Sequence, residues 1–119
     1  MLPLDEFFAG EPLSRRIFET VRRAVESIGP VNVRISRSQI VFHRRHTVAL
    51  VWMPGQYLRR KVAPLVLTFS FHQRDPSPRW KEIVVPAPGR FTHHLELYEP
   101  ADVDDEVLGW LRDAWTAAA

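Results

Sequence analysis

The sequence contains no cysteine, which excludes a disulfide framework, a cysteine zinc site and a thiol nucleophile. Long hydrophobic runs are also missing. The longest apolar stretch, Val48 to Met53, is far shorter than the roughly 20 residues that cross a bilayer. The beginning, MLPLDEFFAG, lacks the basic start and apolar run of a signal peptide. We therefore expect a soluble, cytoplasmic protein with no membrane partner.

The familiar local signatures of catalysis are absent as well. No G-x-S-x-G, G-x-x-x-x-G-K-[ST] or G-x-G-x-x-G pattern occurs. Ser70 lies near His72, but nothing in the sequence indicates an oxyanion hole beside them. Whether the protein is an enzyme stays open, the balance is against it, and we predict no cofactor.

Acidic residues are scarce in the middle of the chain. Residues 31–94 hold eleven Arg or Lys against Asp75 and Glu82, whereas residues 95–119 hold seven acids and one Arg. Such a basic segment suits an anionic partner such as nucleic acid. The alternative is that the acidic C-terminal segment folds back onto the basic segment and neutralises it.

The residues that are present indicate one α+β domain over residues 1–119, and this length is sufficient to bury a hydrophobic core. Apolar residues spaced by three and four predict a helix over 12–28, with Pro12 in its first turn and Gly29-Pro30 after its end. A short helical turn is expected at Leu4–Phe8. From residue 31 to 98 the apolar period changes to two, which predicts strands.

The sequence predicts that most of the strands are connected by hairpins. Residues 46–53 are apolar on both faces, which predicts a central strand. Residues 65–73 alternate most clearly, residues 80–85 suit a short edge strand before Pro86, and residues 90–98 form the last strand. A helix over 102–117 follows, with Asp102 as its expected cap. The fold class is α+β, with a mostly meander antiparallel sheet of about five to six strands and both terminal helices on one face.

Two adjacent histidines stand in GRFTHHLEL, residues 89–97. Successive side chains of a strand point to opposite faces, so the two rings cannot share one metal ion. His93 lies with the apolar residues, and we expect a buried neutral imidazole bonded to a carbonyl, tryptophan or hydroxyl. His94 lies on the polar face, and the pair is not a metal site.

The polar face is the leading candidate site. If the strands of 65–73 and 90–98 are neighbours, their hydroxyls, imidazoles and carboxylate meet there, and Arg34 and His43 extend the same polar face. The predicted ligand-binding residues are His94, His72, Tyr98, Glu96 and Arg34. A metal-dependent hydrolase that uses His72, His94 and Glu96 is an alternative, since zinc and iron accept two histidines and one carboxylate. A merely solvated face is the other alternative.

Two basic loops, at 56–61 and 74–81, each place an aromatic residue beside cations. Stacking on bases combined with phosphate contacts would make them a site for single-stranded nucleic acid. The residues of this alternative are Tyr57, Arg59, Arg60, Lys61, Arg79 and Trp80. A solvated hairpin loop explains the same pattern.

Three stretches carry a family resemblance: SRSQIVFHRRHTVALVWMP, APGRFTHHLEL and ADVDDEVLGWLRDAW. Residues 37–42, RSQIVF, fill a K/R-S-x-I-x-F motif. From about Leu4 to Ala117 the chain resembles the bacterial domain-of-unknown-function family 5655. The resemblance implies a small cytoplasmic α+β domain that also occurs attached to other domains, and no assigned catalytic residues.

The hypothesis that follows is a non-catalytic binding or protein-interaction module that uses the polar face of the sheet. Its partner would be a small polar ligand or a protein. Homo-oligomerisation is also open, because four Trp and seven Phe are many for 119 residues and an exposed aromatic patch favours self-association.

Overall fold

A computed structural model describes residues 2–56 and 61–119. Six strands form one antiparallel sheet in the order β1-β2-β3-β4-β6-β5. The strands are β1 (Asn32–Ile35), β2 (Ile40–His43), β3 (Thr47–Trp52), β4 (Leu65–Phe71), β5 (Glu82–Ala87) and β6 (Arg90–Leu97). The helices are α1 (Leu4–Phe7), α2 (Pro12–Ile28) and α3 (Asp105–Ala117), with short 3-10 turns at Pro54–Gln56 and Pro100–Asp102. The α+β class and the helix-covered sheet are confirmed.

The sheet is a meander over its first four strands. β3 lies between β2 and β4, in the central position that its apolar residues predicted. β6 then pairs with β4, and β5 pairs only with β6, so β5 is the outer edge. Because β6 lies between β4 and β5, side chains of the last strand meet those of two other strands.

α2 has the predicted bounds and lays its apolar stripe on the sheet. Ile17, Phe18, Val21 and Val25 are each fully buried. The helix ends at Gly29, where the Trp115 ring of α3 lies against the backbone. The Trp115 indole donates a hydrogen bond to the Pro30 carbonyl, 3.1 Å away. α2 and α3 therefore contact each other as well as the same face of the sheet.

α3 begins later than the sequence predicted. Its cap is Asp104, whose carboxylate accepts the Val107 amide at 3.1 Å. Asp102 instead accepts the amides of Tyr98 and Glu99 at 2.8 and 3.2 Å, which shapes the turn after β6. Two aspartates two residues apart are both good caps, and the 3-10 turn decides between them.

The core lies between the helices and one face of the sheet. The fully buried sheet residues of this face include Ile40, Phe42, Val51, Leu65, Leu67 and Leu97. None of the helices in the described part of the chain covers the opposite face, which is called here the open face.

Within residues 2–56 and 61–119, no helix has the length and apolar character that a membrane span needs.

Candidate functional site

The strand register places one row of open-face side chains across all six strands. Thr68 of β4 pairs with His94 of β6, which in turn pairs with Glu82 of β5. On the other side the row continues through Leu50 and Val41 to Arg34 at the far edge. The next row contains Trp52, Val66 and Glu96. The polar residues concentrate on β4, β6 and β5.

A chain of hydrogen bonds crosses this face from β3 to β6. The Trp52 indole N–H donates to Thr68 Oγ1 at 3.0 Å, and Thr68 Oγ1 lies 2.8 Å from His94 Nδ1. An indole only donates, so Thr68 Oγ1 accepts from it, and we assign the hydroxyl proton to Nδ1 because no other acceptor for it lies among the described residues. With this assignment, a neutral His94 ring carries its proton on Nε2, where it is a hydrogen-bond donor.

Burial favours the neutral form of the His94 ring. Desolvation lowers the pKa of His94 below its ordinary value of 6.5, and the nearby Glu82 carboxylate opposes that effect only in part. The Trp52 ring meets the imidazole edge to face, with centroids 6.0 Å apart. Thr68 beneath them is only 7 % exposed, although it lies on the open face. The three side chains form one packed unit, called here the Trp52–Thr68–His94 relay.

The relay borders a groove of about 480 Å³ on the open face. Val66 lies in it and is 4 % exposed, while Tyr98 at its rim is 53 % exposed. Burial and the neighbouring Glu96 carboxylate raise the pKa of Tyr98. This open-face groove combines an apolar base, two aromatic rings and an imidazole donor, as small-molecule sites commonly do.

Charged side chains of both signs also line the open-face groove. Lys61 and Lys81 are the two lysines of the chain, and both lie here. Glu82 and Glu96 are the two carboxylates. Within the described part of the chain, none of the four forms an ion pair with another. Counted over residues 2–56 and 61–119, the groove therefore holds two cations and two anions that do not pair with each other.

The predicted ligand-binding residues fall into three places. His94, Glu96 and Tyr98 meet in the groove. Arg34 shares their face, but it lies on β1, four strands from β6, or about 19 Å at ordinary strand spacing.

His72 lies past the end of β4, exposed, in a shallow depression with Asp113 and Trp110. His72, His94 and Glu96 are thus not brought together. No group of three or more metal-ligating side chains forms among residues 2–56 and 61–119.

The predicted nucleic-acid residues are also dispersed. Tyr57, Arg59 and Arg60 lie outside the described residues. Lys61 belongs to the open-face groove.

Arg79 instead donates to Asp104 at 2.9 Å and to Glu106 at 3.1 Å. This pairing joins the basic segment to the acidic one, as the neutralisation alternative expects. Trp80 packs against Trp110, with ring centroids 4.2 Å apart. Arg79 and Trp80 therefore both make contacts that stabilise the fold.

Asp75 organises a second polar cluster on the helix side. Its carboxylate accepts the indole N–H of Trp80 at 2.9 Å, that of Trp110 at 3.3 Å and the Ser77 amide at 3.0 Å. Its own amide donates to His93 Nε2 at 3.0 Å. These five residues are called here the Asp75 cluster.

His93 is the buried, neutral imidazole that the strand parity predicted. It is fully buried. Because Nε2 accepts the Asp75 amide, the proton lies on Nδ1, which donates to the Phe91 carbonyl at 2.8 Å. Both ring nitrogens are thus occupied by the fold, and His93 is a structural residue.

The charge of Asp75 is stabilised in place. Burial alone would raise its pKa, but the hydrogen bonds from Trp80, Ser77 and Trp110 outweigh burial, so the pKa of Asp75 lies below its ordinary value. The sequence showed Asp75 only as part of a loop, because its partners lie as far as 35 residues along the chain.

Three residues of the groove were missed by sequence reasoning. Trp52 was assigned to a buried central strand and Glu82 to an edge strand without a role, while Lys81 was assigned to the basic loop 74–81 and not to the polar face. The parity of β3 carries a usable signal, since Trp52 and Leu50 share a face. What the sequence lacks is the register between strands.

Comparison with known proteins gives a family and nothing finer. A family model described as "Domain of unknown function (DUF5655)" matches residues 4–118. No curated protein and no solved structure matches the chain.

Proposed function

Since the chain belongs to the DUF5655 family, whose description names no activity, we propose its function from the site itself. The protein is a non-catalytic binding module, and its ligand-binding site is the open-face groove. The contacts come from His94, Trp52 and Tyr98, with Glu96 and the two lysines at the sides. The ligand is a small polar molecule.

The Trp52–Thr68–His94 relay carries this proposal. A merely solvated sheet face does not need a buried hydroxyl that bridges an indole and an imidazole. The relay fixes the orientation of an aromatic ring and of one N–H donor at the groove. Binding loses little conformational entropy when the polar groups of a site are already fixed in place before the ligand arrives.

The same relay argues against catalysis. Thr68 lies within hydrogen-bond distance of His94, as a nucleophile lies beside its base. However, the Thr68 oxygen already accepts the Trp52 N–H, and the residue is 7 % exposed. We infer that this largely buried hydroxyl orients the ring rather than attacking a substrate.

The proposal is tested by NMR titration with a panel of small polar compounds. We expect the Trp52 indole and His94 resonances to shift first. His94→Gln should weaken binding about tenfold, which corresponds to the loss of one well-placed hydrogen bond. His72→Gln is the matched control, since His72 is exposed and outside the groove. Shifts confined to loops, or equal affinities of the two variants, would place the site elsewhere.

A single-stranded oligonucleotide belongs in the same panel. Binding that falls steeply with salt and is lost when Arg59, Arg60 and Lys61 are replaced would favour nucleic acid instead.

A further inference from the structure

We infer that the open-face groove takes a zwitterionic ligand, of the chemical class of α-amino acids and short peptides. This inference rests on the proposed binding function and specifies its ligand. It starts from the four charged side chains of the groove, Lys61, Lys81, Glu82 and Glu96.

The two signs of charge exclude ligands of a single sign. The Debye length is about 8 Å at physiological salt, so charges that line one groove act on a ligand held against them. A simple anion would meet the lysines but be repelled by both carboxylates. A simple cation would meet the opposite problem. A molecule with one ammonium and one carboxylate gains from both sets.

Chain order and strand register place the two kinds of charge around His94. Glu82 faces His94 directly across the β5–β6 pair, and Glu96 follows two residues along β6 on the same face. Lys61 belongs to the segment that leads into β4, whereas Lys81 leads into β5. β4 and β5 flank β6. The lysines therefore reach the groove from both sides of the strand that carries His94.

His94 and Trp52 add contacts that would orient the ligand in the groove. The relay leaves an N–H on His94 Nε2, which is a donor suited to a carboxylate or a peptide carbonyl. The Trp52 ring offers apolar surface to a ligand side chain. The groove volume of about 480 Å³ lies in the lower half of the usual range for small-molecule sites, which suits an amino acid or a peptide of a few residues.

The experiment compares free and blocked ligands on the full chain. NMR and calorimetry would use the common amino acids, a pooled dipeptide library, and the same pool either N-acetylated or C-amidated. We expect the free dipeptides to shift Trp52 and His94, and each blocking group to weaken binding about tenfold, because it removes one charge-assisted contact.

Variants then test which charged side chain recognises each charged end of the ligand. Lys81→Gln should abolish the preference for a free carboxylate while keeping the preference for a free ammonium. Glu82→Gln should do the reverse. Arg112→Gln and Asp113→Asn are the matched controls, since both residues are exposed on α3 away from the groove, and both preferences should persist.

The outcomes separate the inference from the proposed function. If blocked and free pools shift the same groove residues equally, or if only singly charged compounds do so, the zwitterion class is wrong and the binding site stands. If no compound shifts Trp52 or His94, the proposed function fails as well.

Discussion

Asp75 shows how one side chain decides the packing of two tryptophans. Trp80 and Trp110 lie in contact, and both indole N–H groups end on this carboxylate. An indole buried without an acceptor costs free energy, so the carboxylate allows the two rings to pack inside the domain. Asp75 lies in the loop between β4 and β5, and it links that loop to the last strand and to α3.

Replacing Asp75 should therefore cost stability. Asp75→Ala leaves two indoles and one amide without their acceptor, and we expect the free energy of unfolding to fall by roughly 1 to 3 kcal/mol. Urea denaturation followed by circular dichroism measures it. Asp113→Ala is the control and should stay within about 0.5 kcal/mol of the parent. Equal values for the two variants would contradict the role given to Asp75.

His94 should make stability depend on pH. Its folded-state pKa lies below the ordinary 6.5, chiefly because of burial. The unfolded chain therefore takes up a proton at higher pH than the folded one, and the free energy of unfolding falls as the pH drops below 6.5. Unfolding measured at about pH 7.5 and about pH 5.5 tests this on either side of that value.

His94→Gln should reduce the loss of unfolding free energy at low pH, whereas His72→Gln should leave that loss unchanged. A fall of unchanged size in the His94 variant would show that other groups cause the pH dependence.

At the scale of elements, two glycines have opposite meanings. Gly29 has an extended backbone that any residue adopts, but an added Cβ would lie 2.3 Å from the Trp115 ring. Gly109 lies inside α3, and a Cβ there would meet nothing within 4 Å. The first glycine is required by the approach of α3 to the end of α2, and the second only weakens its helix.

Alanine at the two positions should thus shift stability in opposite directions. We expect Gly29→Ala to destabilise by about 1 to 3 kcal/mol through overpacking. Gly109→Ala should stabilise by about 1 kcal/mol through helix propensity. Thermal unfolding of both variants checks this. A neutral Gly29→Ala would mean that Trp115 moves away without cost.

Elements were predictable where the signal is local. The spacing of apolar residues in α2 and the Pro12 and Gly29 that bound it are all within one segment, and the predicted bounds agree with the structure. β5 was placed at an edge because Pro86 cannot serve a central strand. The α3 start was wrong because Asp102 and Asp104 compete as caps, and the turn after β6 is not visible in the sequence.

For the whole molecule, the uneven charge has a structural use. Arg79 follows the Asp75 loop and pairs with the acidic start of α3 at Asp104 and Glu106. The basic and acidic segments thereby hold each other in place. The aromatic residues that suggested self-association are mostly inside. Among the described residues the exposed large hydrophobics are Val84, Val85 and Tyr98.

Arg79→Ala should weaken this attachment. We expect a loss of about 1 to 2 kcal/mol at low ionic strength, because the guanidinium is bonded to two carboxylates and to the Asp102 carbonyl. Salt should shrink the difference from the parent protein, since screening weakens the parent's ion pairs. Denaturation at low and high salt measures it, with Arg112→Ala as the control. A difference independent of salt would assign the loss to packing on Trp110.

The candidate site was predictable only in part for a physical reason. Parity along β6 is a property of one strand, so the opposite directions of His93 and His94 followed from the sequence. The bond between Thr68 and His94 depends on the register between β4 and β6, and the bond to Trp52 on that between β3 and β4. His72 was included because alternation was extended past the end of β4, where the chain bends.

The insertion of β6 between β4 and β5 has a consequence for amide exchange with deuterated solvent. β4 is flanked on both sides and backed by α2, so its amides should open only when most of the domain does. β5 is held by a single neighbour and is mostly exposed, so its outer amides should exchange first. A molecule bound over the last two strands would slow amide exchange in the edge strand β5 rather than in the central strand β4. The protection pattern would then report occupancy even before the molecule is identified.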